Sequence, residues 1–288
     1  MREGWPSLTA LAVAVGRGIG TSPEQVDLSA ADLVPSPLSR TLRWVGGPRA
    51  PWGMRSTLRL ATLGMVDHVS LRTAAIDAAL RQALATGIEQ LVVLGAGLDG
   101  RAWRLQSLRE TTVFEVDHPA TQAGKRRRVA ARPSLAAAVH FVAVDFERDS
   151  LTEHLEQAGH DAARPSVWIW EGVTPYLEPA AIEASLAAVA SRSARSSRLI
   201  VSYAVPTLLP PRLARLDALT EHGFAALGEP LRGMISTERF AQLLAAHGFS
   251  MLEDSGNREW ALRHPGSARI ARLFSAERLA VAERNDDR

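Results

Sequence analysis

The run LVVLGAGLDG at 91–100 constrains this chain most. Leu91 to Leu94 is a short unbroken apolar stretch of the kind that forms a strand buried on both faces, and it breaks abruptly into glycine at 95, 97 and 100. Glycines at a strand-to-helix turn let backbone approach a ligand closely and expose free N–H groups there. Four further strand candidates follow, Thr112 to Val116, Val139 to Val144, Val167 to Trp170 and Leu199 to Tyr203, with helix candidates near 99–108, 119–131, 149–159 and 179–193. Strand alternating with helix means right-handed crossovers and an α/β, doubly wound, mostly parallel sheet. Its ligand crevice lies at the carboxyl ends of the strands.

The flanks are less regular. Residues 7–20 read as a helix capped by Ser7 or Thr9, and 21–53 as Pro/Gly/Ser-rich loop with a short helix at most. Helices are expected from Thr57 to Val69 and from Thr73 to Ala85, the second closed by Gly87. After Tyr203, prolines 206, 210 and 211 open a stretch to Ile235 that is part loop and part amphipathic helix. A helix over Thr237 to His247 then leads to Phe249–Leu252 and, across Gly256-Asn257, to Trp260–Leu262, read as an antiparallel hairpin that finishes the sheet. The expected organisation is an N-terminal helical flank (1–89), a cofactor-binding core (90–204), an inserted lid (205–235) and a C-terminal completion of the core (236–288).

Composition narrows the chemistry. The 288 residues hold no cysteine, which excludes disulfides, thiolate metal sites and cysteine nucleophiles. Basic residues number 33 against 31 acidic, Lys125 is the single lysine, and the charges are interleaved, so no nucleic-acid stripe is expected. The apolar run Leu8 to Val15 is far shorter than the roughly 20 residues of a membrane span. With no export or anchoring signal readable, a cytoplasmic location and no membrane partner are expected. The eight histidines have no paired ligand spacing, so no metal is expected. Neither a G-x-S-x-G elbow nor a G-x-x-x-x-G-K-[ST] loop occurs.

The strand ends carry the candidate site. Asp117 follows the glycines by about twenty residues, the place from which a carboxylate reaches a ribose diol. Glu115 shares its face one step farther from the carboxyl end, and reads as structural. The third strand ends in Asp145 and Phe146, an acid and a ring suited to an adenine amine and its face; the fourth ends at Glu171, where a carboxylate can face a cationic cofactor. On these residues alone a nicotinamide dinucleotide and S-adenosylmethionine remain alternatives, as does a binding protein without catalysis.

Taken together, SLRTAAIDAAL (70–80), VVLGAGLDGRAWRL (92–105), FEVDHPATQAGKRRR (114–128), VDF (144–146) and WEGVTPYL (170–177) closely resemble the leucine carboxyl methyltransferase family. These are S-adenosylmethionine-dependent O-methyltransferases with a Rossmann-like seven-stranded fold. The resemblance implies that Arg72 holds the cofactor's carboxylate, that Gly95, Ala96 and Gly97 pass beneath its methionine part, and that Asp117 takes the ribose. It further implies that Asp145 and Phe146 frame the adenine and that Glu171 lines the reaction centre. Gly100 departs from the family's usual threonine, and residues 21–55 and 205–235 match poorly. The implied partner is a small-molecule acceptor, carboxylate first and hydroxyl second.

A carboxylate acceptor is already ionised at neutral pH and needs no base. A hydroxyl acceptor needs one, and His68, His222 and Tyr203 are the candidates. The competing reading of Arg72 is a surface pair with Asp77. Lys125 to Arg128 read as a solvated helix face, and Trp168 and Trp170 as packing on one face of a strand.

Overall fold

The computed structural model describes residues 8–20, 26–48, 50–51, 53–146, 148–206, 225, 230–263 and 274–285. Its N-terminal part holds α1 (Leu8–Ile19), α2 (Leu28–Leu33), α3 (Leu38–Gly46), α4 (Met54–Ala61) and α5 (Met65–Leu84). Then come β1 (Gln90–Leu94), the short α6 (Arg101–Arg104), β2 (Thr112–Asp117), α7 (Pro119–Val129), β3 (Ala138–Ala143) and α8 (Leu151–Gln157). The chain continues through β4 (Ser166–Trp170), α9 (Pro179–Ser191), β5 (Arg198–Ala204), α10 (Thr237–Ala246), β6 (Phe249–Gly256), α11 (Asn257–Arg263) and β7 (Glu277–Arg284).

The seven strands form one sheet in the order β3-β2-β1-β4-β5-β7-β6. β1 to β5 are parallel, and β7 runs antiparallel between β5 and β6. This is the Rossmann-like α/β sheet the sequence implied. β1 and β4 are buried at every position, as strands covered by helices on both faces must be. One face packs Val92, Phe114, Trp168, Trp170, Leu186 and Phe240; the other packs Leu91, Val93, Ile169 and Leu279 against Leu71, Ile76 and Leu80 of α5.

Three local expectations are corrected. The hairpin across Gly256-Asn257 is absent: Asn257 opens α11, because Glu259 reaches back to accept from the Gly256 N–H at 2.8 Å, half of a capping box. Trp260 is therefore helical and buried, and the last strand is 277–284. Residues 26–48 carry two helices, not one at most, the first capped by the Asp27 side chain on Ser29 N at 2.9 Å. The break between the flanking helices falls at Leu63-Gly64, both at positive φ, so that one continuous α5 runs through the expected gap at Ser70–Arg72. Most of the expected lid, residues 207–224 and 226–229, lies outside the described residues, and His222 is among them. No helix among the described residues is long and apolar enough to cross a membrane.

Candidate functional site

The register sets the site. Leu94 pairs with Val116 on one side and Trp170 on the other, so the next residues, Asp117, Gly95 and Glu171, line up across the tips of β2, β1 and β4. Gly95 and Gly97 sit at φ +64° and +45°, a conformation open to glycine and costly for other residues. A side chain at Gly95 would also meet Val173 Cγ2 at 2.6 Å. Ala96 is buried, its N–H bonded to the Val116 carbonyl at 3.0 Å, which fastens the glycine turn to β2.

Asp117 accepts from the Gly97 N–H through one oxygen and from the His118 N–H at 2.6 Å through the other. Burial raises its carboxyl above the usual value against the pull of these two N–H groups. Each oxygen of a carboxylate has two acceptor directions, so the group keeps capacity for a ligand's hydroxyls. Asp145 and Phe146 follow the tip of β3, and Phe146 is 46% exposed.

Glu171 is held by three guanidiniums. Arg17 Nη2 donates to both its oxygens at 2.8 and 2.9 Å, Arg72 Nε to Oε1 at 3.1 Å, and Arg101 Nη1 lies 3.0 Å from Oε2. Burial alone would favour the protonated acid, but the three cations outweigh it and hold the carboxyl well below the usual range. Arg72 is buried and also spans Glu277 with Nη1 at 2.7 and 2.8 Å, so its partners are site carboxylates and not Asp77. Asp77 serves Arg101 and Arg104 instead, at 2.8 and 2.6 Å. The Nη2 of Arg101, in a residue only 1% exposed, has no hydrogen-bond partner among the described residues.

Sequence reasoning missed Arg17, Arg101 and Glu277 as members of this cluster. Arg17 had a signal: it is the only charged residue in α1, LTALAVAVGRGI. Gly16 beside it lets α1 lie against α5, since a Cβ there would touch Val69 at 3.0 Å, and that closeness brings the guanidinium to Glu171. Gly100 is explained too. A Cβ at this position would run into Ser29 Oγ, so α2 occupies the space that a larger residue would take.

The two candidate bases within the described residues are committed elsewhere. Tyr203 donates to Asp254 Oδ2 at 2.6 Å, and burial with that neighbouring carboxylate pushes its hydroxyl up to about 12. His68 lies between Glu277 Oε2 (2.6 Å from Nε2) and Asn257 Oδ1 (3.0 Å from Nδ1), its ring stacked on Phe274. Asn257 Nδ2 donates to the Phe274 carbonyl at 2.6 Å, which turns Oδ1 toward the histidine, so both ring nitrogens face acceptors.

The expected solvated face of α7 is corrected at its first residue. Lys125 is 1% exposed and pairs with the equally buried Glu115 at 2.7 Å, while Arg126 and Arg127 are exposed. Among the described residues no group of three or more His, Cys, Asp and Glu is placed to hold a metal.

The leucine carboxyl methyltransferase family model matches residues 10–190. A Saccharopolyspora erythraea protein named "putative S-adenosyl-L-methionine-dependent methyltransferase" is 34% identical over 284 residues, covering 96% of this chain and 95% of its own. A Mycobacterium avium protein of the same name is 31% identical over 280 residues, covering 91% of this chain and 84% of its own. Among solved structures, a protein described as a putative methyltransferase from Thermobifida fusca superposes with a TM-score of 0.58 at 16% identity, covering 98% of this chain and 96% of its own. At that identity the likeness bears on the fold, which it shares. By the span of the family match and the identity to its relatives, this chain belongs to the leucine carboxyl methyltransferase family.

Proposed function

We propose that this chain is an O-methyltransferase that transfers the methyl group of S-adenosylmethionine to a carboxylate of a small-molecule acceptor. Dependence on S-adenosylmethionine comes with the family; the carboxylate acceptor is our reading. The observation that carries it is the commitment of His68 and Tyr203 to internal acceptors, His68 to Glu277 and Asn257 and Tyr203 to Asp254. Neither is offered to the crevice as a proton acceptor, and a carboxylate acceptor asks for none.

The residues present suit the cofactor. Asp117 has acceptor capacity for a ribose diol, the Gly95–Gly97 turn brings backbone close, and Phe146 offers an exposed ring beside Asp145 for the adenine. Arg72 supplies a buried cation for the amino-acid carboxylate, and Glu171 a carboxylate on the side of the sulfonium. When bound, the cofactor supplies an electrophilic methyl on a positively charged sulfur. The protein's part is to align the acceptor oxygen and exclude water, and such positioning is worth about 7–11 kcal/mol of a barrier. Glu171, fixed by three arginines, has little freedom to swing, so the charge pattern facing the cofactor is set before anything binds.

The test is methyl transfer from methyl-labelled S-adenosylmethionine to a panel of apolar carboxylic acids and phenols, with the product then treated with alkali. A methyl ester releases its label as methanol, whereas an aryl ether keeps it. Alkali-labile label on an acid supports the proposal; label confined to alkali-stable products contradicts it.

A further inference from the structure

The single lysine of the chain is buried, where a solvated helix face was expected. Lys125 projects from α7, whose geometry is unusually well fixed. The His118 side chain caps its start by accepting from Ala120 N at 3.2 Å, Pro119 occupies its first turn, and Gln122 donates to the Glu115 and Val142 carbonyls at 2.7 and 2.8 Å. Burying an ammonium costs several kcal/mol unless it is compensated, so this one is placed against something. Its direct partner is Glu115 at 2.7 Å, with the Trp103 ring 5.4 Å away. Glu115 and Asp117 lie two residues apart on one strand and share a face, so the charge that pairs with Glu115 lies on the Asp117 side of the strand. Lys125 and His118 favour the ionised form of Asp117, while Asp117 and Glu115 repel each other; Lys125 also favours the ionised form of Glu115, and Asp99 opposes it. Lys125 also acts on Asp99, beside Arg101, Arg17 and Glu171. One ammonium therefore pairs with Glu115 and favours the ionised forms of Asp117 and Asp99.

We propose that Lys125 is a positioning residue for cofactor binding: its buried charge keeps Asp117 ionised and turned to accept from the ribose. The inference rests on the reading of Asp117 as the ribose anchor. A charge placed this way acts through field and not through contact, so its loss shows first in cofactor affinity at low pH and leaves the methyl-transfer step alone.

Binding of S-adenosylhomocysteine by calorimetry between pH 5.5 and 8 tests it, on the wild type, Glu115→Gln, the double variant Glu115→Gln/Lys125→Met, and Asp117→Ala. The double variant removes both members of the buried pair, so neither is left unpaired. Glu115→Gln keeps the ammonium and removes a like charge beside Asp117, so at pH 5.5 it is expected to bind at least as tightly as the wild type. The double variant is expected to bind about tenfold more weakly at pH 5.5 and to converge on the wild type by about pH 8, with KM for the donor raised and kcat retained. His118 is present in these three proteins, so its contribution cancels. A double variant whose profile superimposes on the wild type overturns the proposal. If Asp117→Ala binds as the wild type does, the reading of Asp117 fails instead. Should the double variant not fold, Lys125→Arg and Lys125→Gln make the comparison: the charged variant keeps the wild-type profile and the neutral one does not, and equal profiles overturn the proposal.

Discussion

Replacing Glu171 by glutamine separates the charge of this residue from its shape. The carboxylate is 8% exposed and bonded by Arg17, Arg72 and Arg101. Glutamine fills the same space but gives Arg17 a neutral acceptor in place of its carboxylate, while Arg72 keeps Glu277 and Arg101 keeps Asp77 and Asp99. Removing one member of a buried charge cluster costs about 3–5 kcal/mol, and the amide oxygen still accepts from one arginine, so the lower end, about 3 kcal/mol, applies. For a chain of this size that is a fall in Tm of about 5 °C. The pH dependence has a definite sign. A carboxyl held below its unfolded value stabilises the fold above the ordinary carboxylate range, and that stabilisation is lost only as pH falls through the depressed folded value. The gap between wild type and Glu171→Gln is therefore constant from about pH 5 upward and narrows in acid. Scanning calorimetry at several pH values reads it directly. A variant within about 1 °C of the wild type at pH 7, or a gap that widens in acid, refutes the claim that Glu171 neutralises this cluster.

Other outcomes follow from single contacts. Gly100→Ala drives a Cβ into Ser29 Oγ and is expected to cost about 1–3 kcal/mol; adding Ser29→Ala recovers most of it, as denaturant midpoints measure. Burial pushes Glu115 up to about 7, so the wild type loses stability relative to Glu115→Gln as pH rises from 4.5 to about 7, visible as a falling difference in Tm. Burial, with Arg192 close by, lowers His160 to about 4, so the neutral ring is favoured in the fold and stability is lost as pH falls from 6.5 toward 4. His160→Gln is expected to flatten that acid limb, and an unchanged limb contradicts the assignment.

The central sheet was legible because each of its first four strands is a short apolar run that ends in glycine or acid, and that pattern is local. The residues at its carboxyl edge were legible for the same reason: Asp117 and Glu171 are the first residues past the apolar runs. The rest of the cluster was not, because Arg17 and Arg101 reach Glu171, and Glu277 reaches Arg72, from three separate elements, and local pattern says nothing about which helix lies over which strand end. Gly256-Asn257 was misread because it satisfies a hairpin turn and a helix start equally well; Glu259, three residues on, was the deciding signal. Lys125 was misread because four consecutive basic residues on a helix point in four directions, and only the packing of α7 against β2 selects the one that goes inward.

A crystal structure of the chain with S-adenosylhomocysteine measures the central claim most directly. The account predicts the ribose hydroxyls on the Asp117 carboxylate, the adenine beside Phe146, and the sulfur on the side of the crevice that Glu171 faces. A ligand bound away from the tips of β1, β2 and β4, with Asp117 untouched, contradicts it.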